Sequence, residues 1–168
     1  MPLKIDIACK SDLQEILDLQ KEVYVSEAQI YNDFSIPPLT ETLAEIEESF
    51  KNHVFLKVTL EGAILGSVRA FETNGVCQIG RLIVKRTHQN QGLGTKLLNE
   101  IESRFPQSEK FELFTGEKST KNLHLYQKCG YKVVRQQKVS KALTLVFLYK
   151  TNKLSTKNHS TGLAEARR

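Results

Sequence analysis

The sequence has few of the residues on which disulfide-stapled or metal-dependent proteins rely. It contains three cysteines and four histidines in 168 residues. Cys9, Cys77 and Cys129 are odd in number, lie far apart and form no C-x-x-C pair, and the histidines show no metal-ligand spacing. We therefore expect neither a disulfide framework nor a bound metal.

Long apolar runs are also missing. No run approaches the roughly 18 residues of a membrane span, and the segment after Met1 alternates polar with apolar residues, unlike a signal peptide. This predicts a cytoplasmic protein with no membrane partner. Because 40% of the residues are hydrophobic, the chain can bury one core of its own. We expect a single domain over residues 1–150 and a polar, flexible tail over residues 151–168.

Charge is unevenly distributed along the chain. The net charge is +5, yet residues 1–50 hold 3 Lys and Arg against 11 Asp and Glu, so this part carries −8 and the remainder +13. A basic chain raises the alternative of nucleic-acid binding. However, the basic residues are scattered and do not alternate with aromatic residues as on a stacking platform. We therefore expect no nucleic-acid partner.

The most informative segment is IGRLIVKRTHQNQGLGTKLLNEI, residues 79–101, in which an apolar run, a glycine-containing turn and an amphipathic helix follow one another. Gly92 and Gly94 let the backbone curl so that successive N–H groups point into one concavity, and the helix start adds partial positive charge. This predicts a pyrophosphate site, with an ordinary turn as the alternative. Two other phosphate loops are excluded, because there is no G-x-x-x-x-G-K-S/T and Leu97 stands where G-x-G-x-x-G needs glycine.

Two motifs in this sequence resemble those of one family. Gln89, Gly92 and Gly94 form Q-x-x-G-x-G, which resembles the acyl-CoA loop Q/R-x-x-G-x-G/A of the GNAT N-acetyltransferase superfamily. The segment NLHLYQKCGY, residues 122–131, resembles its later N…LY-x-x-x-G-F/Y motif. The resemblance covers roughly residues 3–150, although the first third agrees in pattern alone. Arg86 departs from the proline that many members carry there.

The resemblance and the element pattern together predict the fold. We expect an α/β fold of the α+β type, the GNAT acyl-CoA-binding fold, with a central mixed, mostly antiparallel sheet of six to seven strands flanked by about four helices. Ser11 with Gln14 predicts a capping box for the first helix, and Thr40 or Thr42 a cap for the second. Pro37-Pro38 predicts an irregular connection between them, and Asn74-Gly75 predicts a hairpin.

The resemblance also implies the activity: an acetyl group moves from acetyl-CoA, the co-substrate, to a primary amine of a small molecule or peptide, directly within a ternary complex. In the family the strand before the loop splays from its neighbour, so the backbone of Leu82 and Val84 would bind the pantetheine arm and the thioester oxygen. The implied cofactor-binding residues are Leu82, Ile83, Val84, Gln89, Asn90, Gln91, Gly92, Leu93, Gly94, Thr95, Asn122 and Tyr126.

Catalysis needs an acid and a base. By resemblance Tyr126 is the general acid for the leaving thiolate, with a core aromatic as the alternative reading. Several lysine acetyltransferases of the family place Glu on the strand before the loop, and Gln78, which cannot take a proton, stands there. Three possibilities remain for the base: Glu72 acting through a chain of waters, Glu117, or no side chain at all.

The acceptor site is expected in the first third of the chain. Tyr24, Tyr31, Asp33 and Phe34, together with Gln78, are the candidate acceptor residues. The acidic balance of residues 1–50 favours a cationic amine, with a solvated acidic face as the alternative. A non-catalytic acyl-CoA-binding regulatory module on the same fold is the alternative function, and the chain is compatible with a monomer or a homodimer.

Overall fold

The computed structural model describes residues 2–153, in which seven strands form one sheet and five helices pack around it. This confirms the predicted fold class, with one helix more than expected. The elements in chain order are β1 (Lys4–Ile7), α1 (Leu13–Tyr31), α2 (Pro37–Thr40), α3 (Leu43–Phe50), β2 (Val54–Leu60), β3 (Ala63–Thr73), β4 (Val76–Val84), α4 (Leu93–Ser103), β5 (Lys110–Gly116), α5 (Thr120–Lys128), β6 (Lys132–Lys138) and β7 (Thr144–Thr151).

The sheet is almost split in two at its centre. Its strand order is β1-β2-β3-β4-β5-β7-β6, and every neighbouring pair is antiparallel except β4 and β5, which are parallel. The pairing of β4 with β5 covers only 76–78 against 110–112, while β4 continues to Val84 and β5 to Gly116. The two strands therefore diverge and leave a wedge between their carboxyl ends.

A β-bulge in β4 lies next to this wedge. Arg69 pairs with Gly80 and Ser67 with Ile83, so one residue of β3 stands opposite two residues of β4, Arg81 and Leu82. Arg81 has φ 51°, a left-handed conformation that is uncommon for a residue with a side chain. A bulge bends its strand and re-aims the side chains on it. The bulge thus sets the direction of Arg81 where β4 leaves β5.

The core has two parts, one on each face of the sheet. α4 and Tyr126 pack with Leu56 in one cluster, whereas α1 and α3 pack with Phe55 in the other. Adjacent side chains of a strand point to opposite faces, so the two clusters lie on opposite sides of β2. Together they fix α1 and the start of α4 on either side of the wedge.

The structure confirms some of the predicted helix caps and turns and contradicts others. Thr42 caps α3, accepting the Glu45 N–H at 3.2 Å, and Asn74-Gly75 forms the hairpin turn with φ 51° and 78°, as predicted. The Ser11 capping box is wrong, because the Asp12 carboxylate accepts the Cys9 N–H at 2.7 Å and a 3-10 turn precedes α1. The segment with Pro37-Pro38 is not irregular: the prolines begin α2, where a missing N–H costs nothing.

The folded part extends past the expected boundary at residue 150. Thr151 ends β7, and Asn152 is buried, with its amide donating to the Ser108 carbonyl at 2.8 Å. Of the predicted tail, residues 154–168 lie outside the described residues. No helix within residues 2–153 is long and apolar enough to cross a membrane.

Candidate functional site

A cavity of about 690 Å³ occupies the wedge between β4 and β5. Its walls come from α1, the end of β4, the loop before α4, the first turn of α4, and the segment 118–128. Many residues predicted from the sequence meet there: Tyr24, Leu82, Val84, Gln89, Asn90, Gly92, Leu93, Gly94, Thr95 and Asn122. The strand end, the turn and the helix start, which are adjacent in sequence, therefore form one site.

The loop presents its backbone to the cavity. Asn90 and Gly92 adopt left-handed conformations with φ 63° and 81°, and the Gln89 side-chain amide donates to the Val84 carbonyl at 3.0 Å, which ties the loop to the strand end. The first N–H groups of α4 have no acceptor within the helix. A Cβ built on Gly94 would lie 3.2 Å from Leu125 Cδ2, so there is little room for a side chain. This geometry suits an anion bound by backbone N–H groups.

Basic side chains surround the same opening. Arg86, Lys118, Lys121 and Lys128 line the cavity together with His88. Cations gathered around a concave site raise the local positive potential and attract phosphate groups. The +13 balance of the later part of the chain is thus partly concentrated at this cavity.

Tyr126 lies at the inner side of the site. It is 7% exposed, its ring packs against Tyr131, and its hydroxyl forms no hydrogen bond with any other residue of the described chain. Burial, and then the nearby Tyr24 and Glu27, raise the pKa of Tyr126 well above that of a free phenol. Tyr126 is not itself a lining residue, but Tyr24 and Glu27 are. Its hydroxyl therefore stays protonated and unpaired close to the cavity.

Glu27 is a candidate functional residue that the sequence reasoning missed. It lines the cavity, and Ser119 Oγ donates to one of its carboxylate oxygens at 2.5 Å while the Asn122 amide approaches the other at 3.5 Å. It follows Tyr24 by three residues on α1, a spacing that places both on one helix face. That spacing was the available signal. The site thus contains an acidic group able to accept a proton.

Tyr31 holds α1 in place instead of lining the cavity. Its hydroxyl is hydrogen bonded to Ser119 Oγ at 2.8 Å and accepts the Lys118 N–H at 3.0 Å. Its ring fills the space over Gly116, where any Cβ would overlap it. Tyr31 therefore anchors α1 to the connection between β5 and α5, and it is not among the residues that line the cavity.

Several other predicted residues also lie outside the cavity walls. Asp33 accepts a hydrogen bond from the Ser35 N–H at 2.9 Å, and hydrogen bonds from Ser35 lower the pKa of Asp33. Phe34 is 55% exposed, Gln91 is exposed at the surface, and Ile83 is buried against α1. The structure does not bring these four side chains to the cavity.

The two side chains considered for the base position lie at the closed end of the wedge. Gln78 pairs with Phe71 on one side and Glu112 on the other, and Glu72 stands opposite Cys77 and accepts a hydrogen bond from Ser108. At about 3.3 Å per residue, the five steps from position 77 to position 82 span about 16 Å. Glu72 therefore lies well away from the strand end and does not line the cavity, and its role through a chain of waters stays a prediction. Glu117 is exposed and does not line the cavity either.

The acidic residues around α3 are engaged locally. Arg69 Nη2 donates to both oxygens of Glu41, at 2.8 and 2.9 Å, and Gln20 donates to the same carboxylate at 2.8 Å. Burial alone would raise the pKa of Glu41, but these hydrogen bonds outweigh it and lower the pKa. Glu45 caps its own helix and Glu48 pairs with Lys51. Among the acidic residues of positions 2–50, only Glu27 lines the cavity.

Comparison with known proteins gives a consistent result. A model of the acetyltransferase (GNAT) family matches residues 13–131. The YqkA protein of Bacillus subtilis is 29% identical over 132 residues, which cover 79% of this chain and 38% of that protein, so the chain spans well under half of this relative. The smu.2055 structure from Streptococcus mutans UA159 superposes with a TM-score of 0.78 at 13% identity, covering 89% of this chain and 99% of that one. The structure of yncA from Salmonella typhimurium with its cofactor acetyl-CoA has a TM-score of 0.71 at 20% identity, covering 90% and 94%.

Proposed function

This chain belongs to the GNAT acetyltransferase family, and from that premise we propose that it moves an acetyl group from acetyl-CoA to a primary amine of a small molecule or peptide. The observation that carries the proposal is the cavity at the end of β4, which joins a loop suited to anions to a strand end without a partner from β5. The protonated phenol of Tyr126 lies close to this cavity. In this proposal the transfer is direct, within a ternary complex of protein, acetyl-CoA and amine.

The residues present fit a CoA thioester. The loop, the first turn of α4 and the surrounding lysines suit its phosphates. The β4 backbone at Leu82 and Val84 has no partner from β5 and can bind the pantetheine amides, although the Val84 carbonyl already accepts the Gln89 amide. The Asn122 amide nitrogen donates to Thr115 Oγ1 at 3.2 Å, so its carbonyl oxygen is left to accept an N–H from the same arm.

In the proposed reaction, different groups around the thioester polarise its carbonyl and transfer the two protons. Bound acetyl-CoA supplies an activated acyl group, whose carbon forms a bond to the amine nitrogen as the C–S bond breaks. Backbone N–H groups of β4 polarise the carbonyl. Tyr126 Oη gives its proton to the departing sulfur, and Glu27, directly or through one water, takes the proton lost by the amine. Support for these roles is that the Glu27 carboxylate lines the cavity and lies close enough to Tyr126 to help raise its pKa.

The role of Glu27 is tested by Glu27→Gln. The amide keeps the size of the side chain but takes no proton, so we expect kcat/KM for the amine to fall about tenfold at neutral pH, because water remains as a weaker acceptor. The affinity for acetyl-CoA should not change. Glu22→Gln, an exposed position on the same helix, is the matched control. Equal rates for the two variants would show that Glu27 only supports the structure.

The proposed activity itself is tested with a panel of amines. Purified protein is incubated with acetyl-CoA and polyamines, amino acids, aminoglycosides or N-terminal peptides, while release of free thiol and the mass of the acetylated product are followed. Turnover with at least one class is expected. Tight acetyl-CoA binding without transfer to any amine would instead support the regulatory module.

A further inference from the structure

Next to the cavity, four side chains form a cluster that we call the arginine pocket: Gln20, Glu41, Arg69 and Arg81. Glu41 is its single carboxylate and faces both guanidinium groups, hydrogen bonded to Arg69 and 3.8 Å from Arg81 Nε. The side chains of Arg69, Arg81 and Glu41 are 8%, 22% and 9% exposed. One negative charge against two positive ones leaves an excess cation away from water, which is costly unless an anion joins it.

The pocket also contains hydrogen-bond donors without acceptors. Within the described chain, Arg69 Nη1 and Arg81 Nε are buried and have no hydrogen-bond partner. Buried polar groups are nearly always paired, and a guanidinium is the least tolerable exception because it carries charge. A guanidinium N–H is well matched to a carboxylate oxygen, so these two donors indicate a ligand of that kind.

The protein leaves room for such a group. Gly80 pairs with Arg69 across β3 and β4, so both face the same side of the sheet. A Cβ built on Gly80 meets no atom within 4 Å. The bulge holds Arg81 beside this space in a left-handed conformation, a strain that is usually kept where it positions a functional side chain.

The pocket adjoins the reacting end of the cavity. Arg81 directly precedes Leu82, which lines the cavity. Tyr24 lines the cavity as well, and Arg81 and Glu27 both lie close enough to Tyr24 to change its pKa, which burial raises. Tyr24 and Leu82 therefore connect the arginine pocket with the cavity.

We propose that the arginine pocket binds a carboxylate of the acceptor, which makes the acceptor an amino acid or another amine that bears a carboxylate. This inference rests on the proposed N-acetyl transfer and names its substrate class. The amine end lies at Glu27 and the strand end, and the carboxylate lies between Arg69 Nη1 and Arg81 Nε. The cationic acceptor expected from the sequence keeps its ammonium group at Glu27, but a polyamine without an acid group leaves the arginine pocket unfilled.

The test compares acceptors that share one carbon skeleton: amino acids, their carboxamides and their decarboxylated amines. Wild-type protein should acetylate the acid with a kcat/KM at least about tenfold above that of the amide, since a carboxylate on two guanidinium groups forms charge-assisted hydrogen bonds. Gly80→Val fills the empty space and leaves both arginines in the sequence, and the strand conformation tolerates it because Gly80 has no positive φ. Arg81→Gln removes one cation. In both variants the kcat/KM values for the acid and the amide should become about equal, and the affinity for acetyl-CoA should not change.

Arg104→Gln, on the exposed side of α4 where Arg104 pairs with Glu100, is the control and should keep the preference. Calorimetric titration of the same acids and amides into the protein with CoA bound gives a readout that needs no turnover. If acid and amide bind and react equally well in the wild type, the carboxylate proposal is overturned while the transferase survives. If the acid binds preferentially but no amine is acetylated, the pocket stands and the proposed activity fails.

Discussion

Replacing Gly94 with glutamate is expected to abolish acetyl-CoA binding while leaving the protein folded. Gly94 lines the cavity in the first turn of α4, and a Cβ there already comes within 3.2 Å of Leu125. A glutamate would place bulk and negative charge where backbone N–H groups meet the proposed pyrophosphate. We expect affinity to fall at least about 100-fold, a loss of about 2.7 kcal/mol in binding free energy.

Isothermal titration with acetyl-CoA and thermal unfolding measure the two halves of this prediction. Gln107→Glu adds the same charge at an exposed position in the turn before β5 and is the matched control. Lys110→Ala, at the exposed start of β5, is a second variant that should bind normally. Unchanged affinity in Gly94→Glu with a folded protein would refute the assignment of this loop to the phosphates.

Replacing Tyr126 with phenylalanine is expected to lower kcat about 100-fold, which is a typical contribution of a general acid to the rate. The KM for acetyl-CoA should change little. The phenol is buried, carries a pKa above its ordinary value, and has no hydrogen-bond partner in the described chain. Removing its oxygen therefore breaks no internal contact, so the melting temperature should hold. A fall in rate without a fall in stability separates proton donation from packing.

Steady-state kinetics with acetyl-CoA and the best amine of the panel provide the measurement. Tyr149→Phe removes a phenol from β7, where Tyr149 pairs with Glu112 outside the cavity, and should leave kcat unchanged. If Tyr126→Phe retains kcat within about twofold, Tyr126 is a packing residue and water protonates the leaving thiolate.

The features that the sequence predicted well are encoded over a few residues. The Gln89–Thr95 turn and the Asn74-Gly75 hairpin depend on residues that tolerate positive φ, a property that can be read one position at a time. The order of strands and helices follows from hydrophobic periodicity in the same way. Family resemblance then supplied the sheet topology, which local patterns do not determine.

The features that the sequence left out come from contacts between distant segments. Glu27 and Ser119 are 92 residues apart, and their hydrogen bond places a carboxylate in the cavity that no local motif marks. Sequence spacing from Gln89 predicts Gln78 as a residue of the acceptor site. In the structure Gln78 pairs with Glu112 of β5, where the two strands have not yet diverged. The charge balance of residues 1–50 has the same limit, since a count of charges does not show that Glu41 is matched by Arg69 and Arg81. The cationic acceptor stays a prediction.

The short pairing between β4 and β5 has a mechanical consequence. The sheet has two parts, β1–β4 and β5–β7–β6, and the pairing that joins them covers only three residues on each strand. Away from this pairing, Ser119, just after β5, is hydrogen bonded to Tyr31 and donates to Glu27, which ties α1 to this side of the sheet. A ligand in the cavity would contact the end of β4 and the segment that follows β5, so we expect it to link the two parts of the sheet. Binding should therefore slow local opening of the joint between β4 and β5.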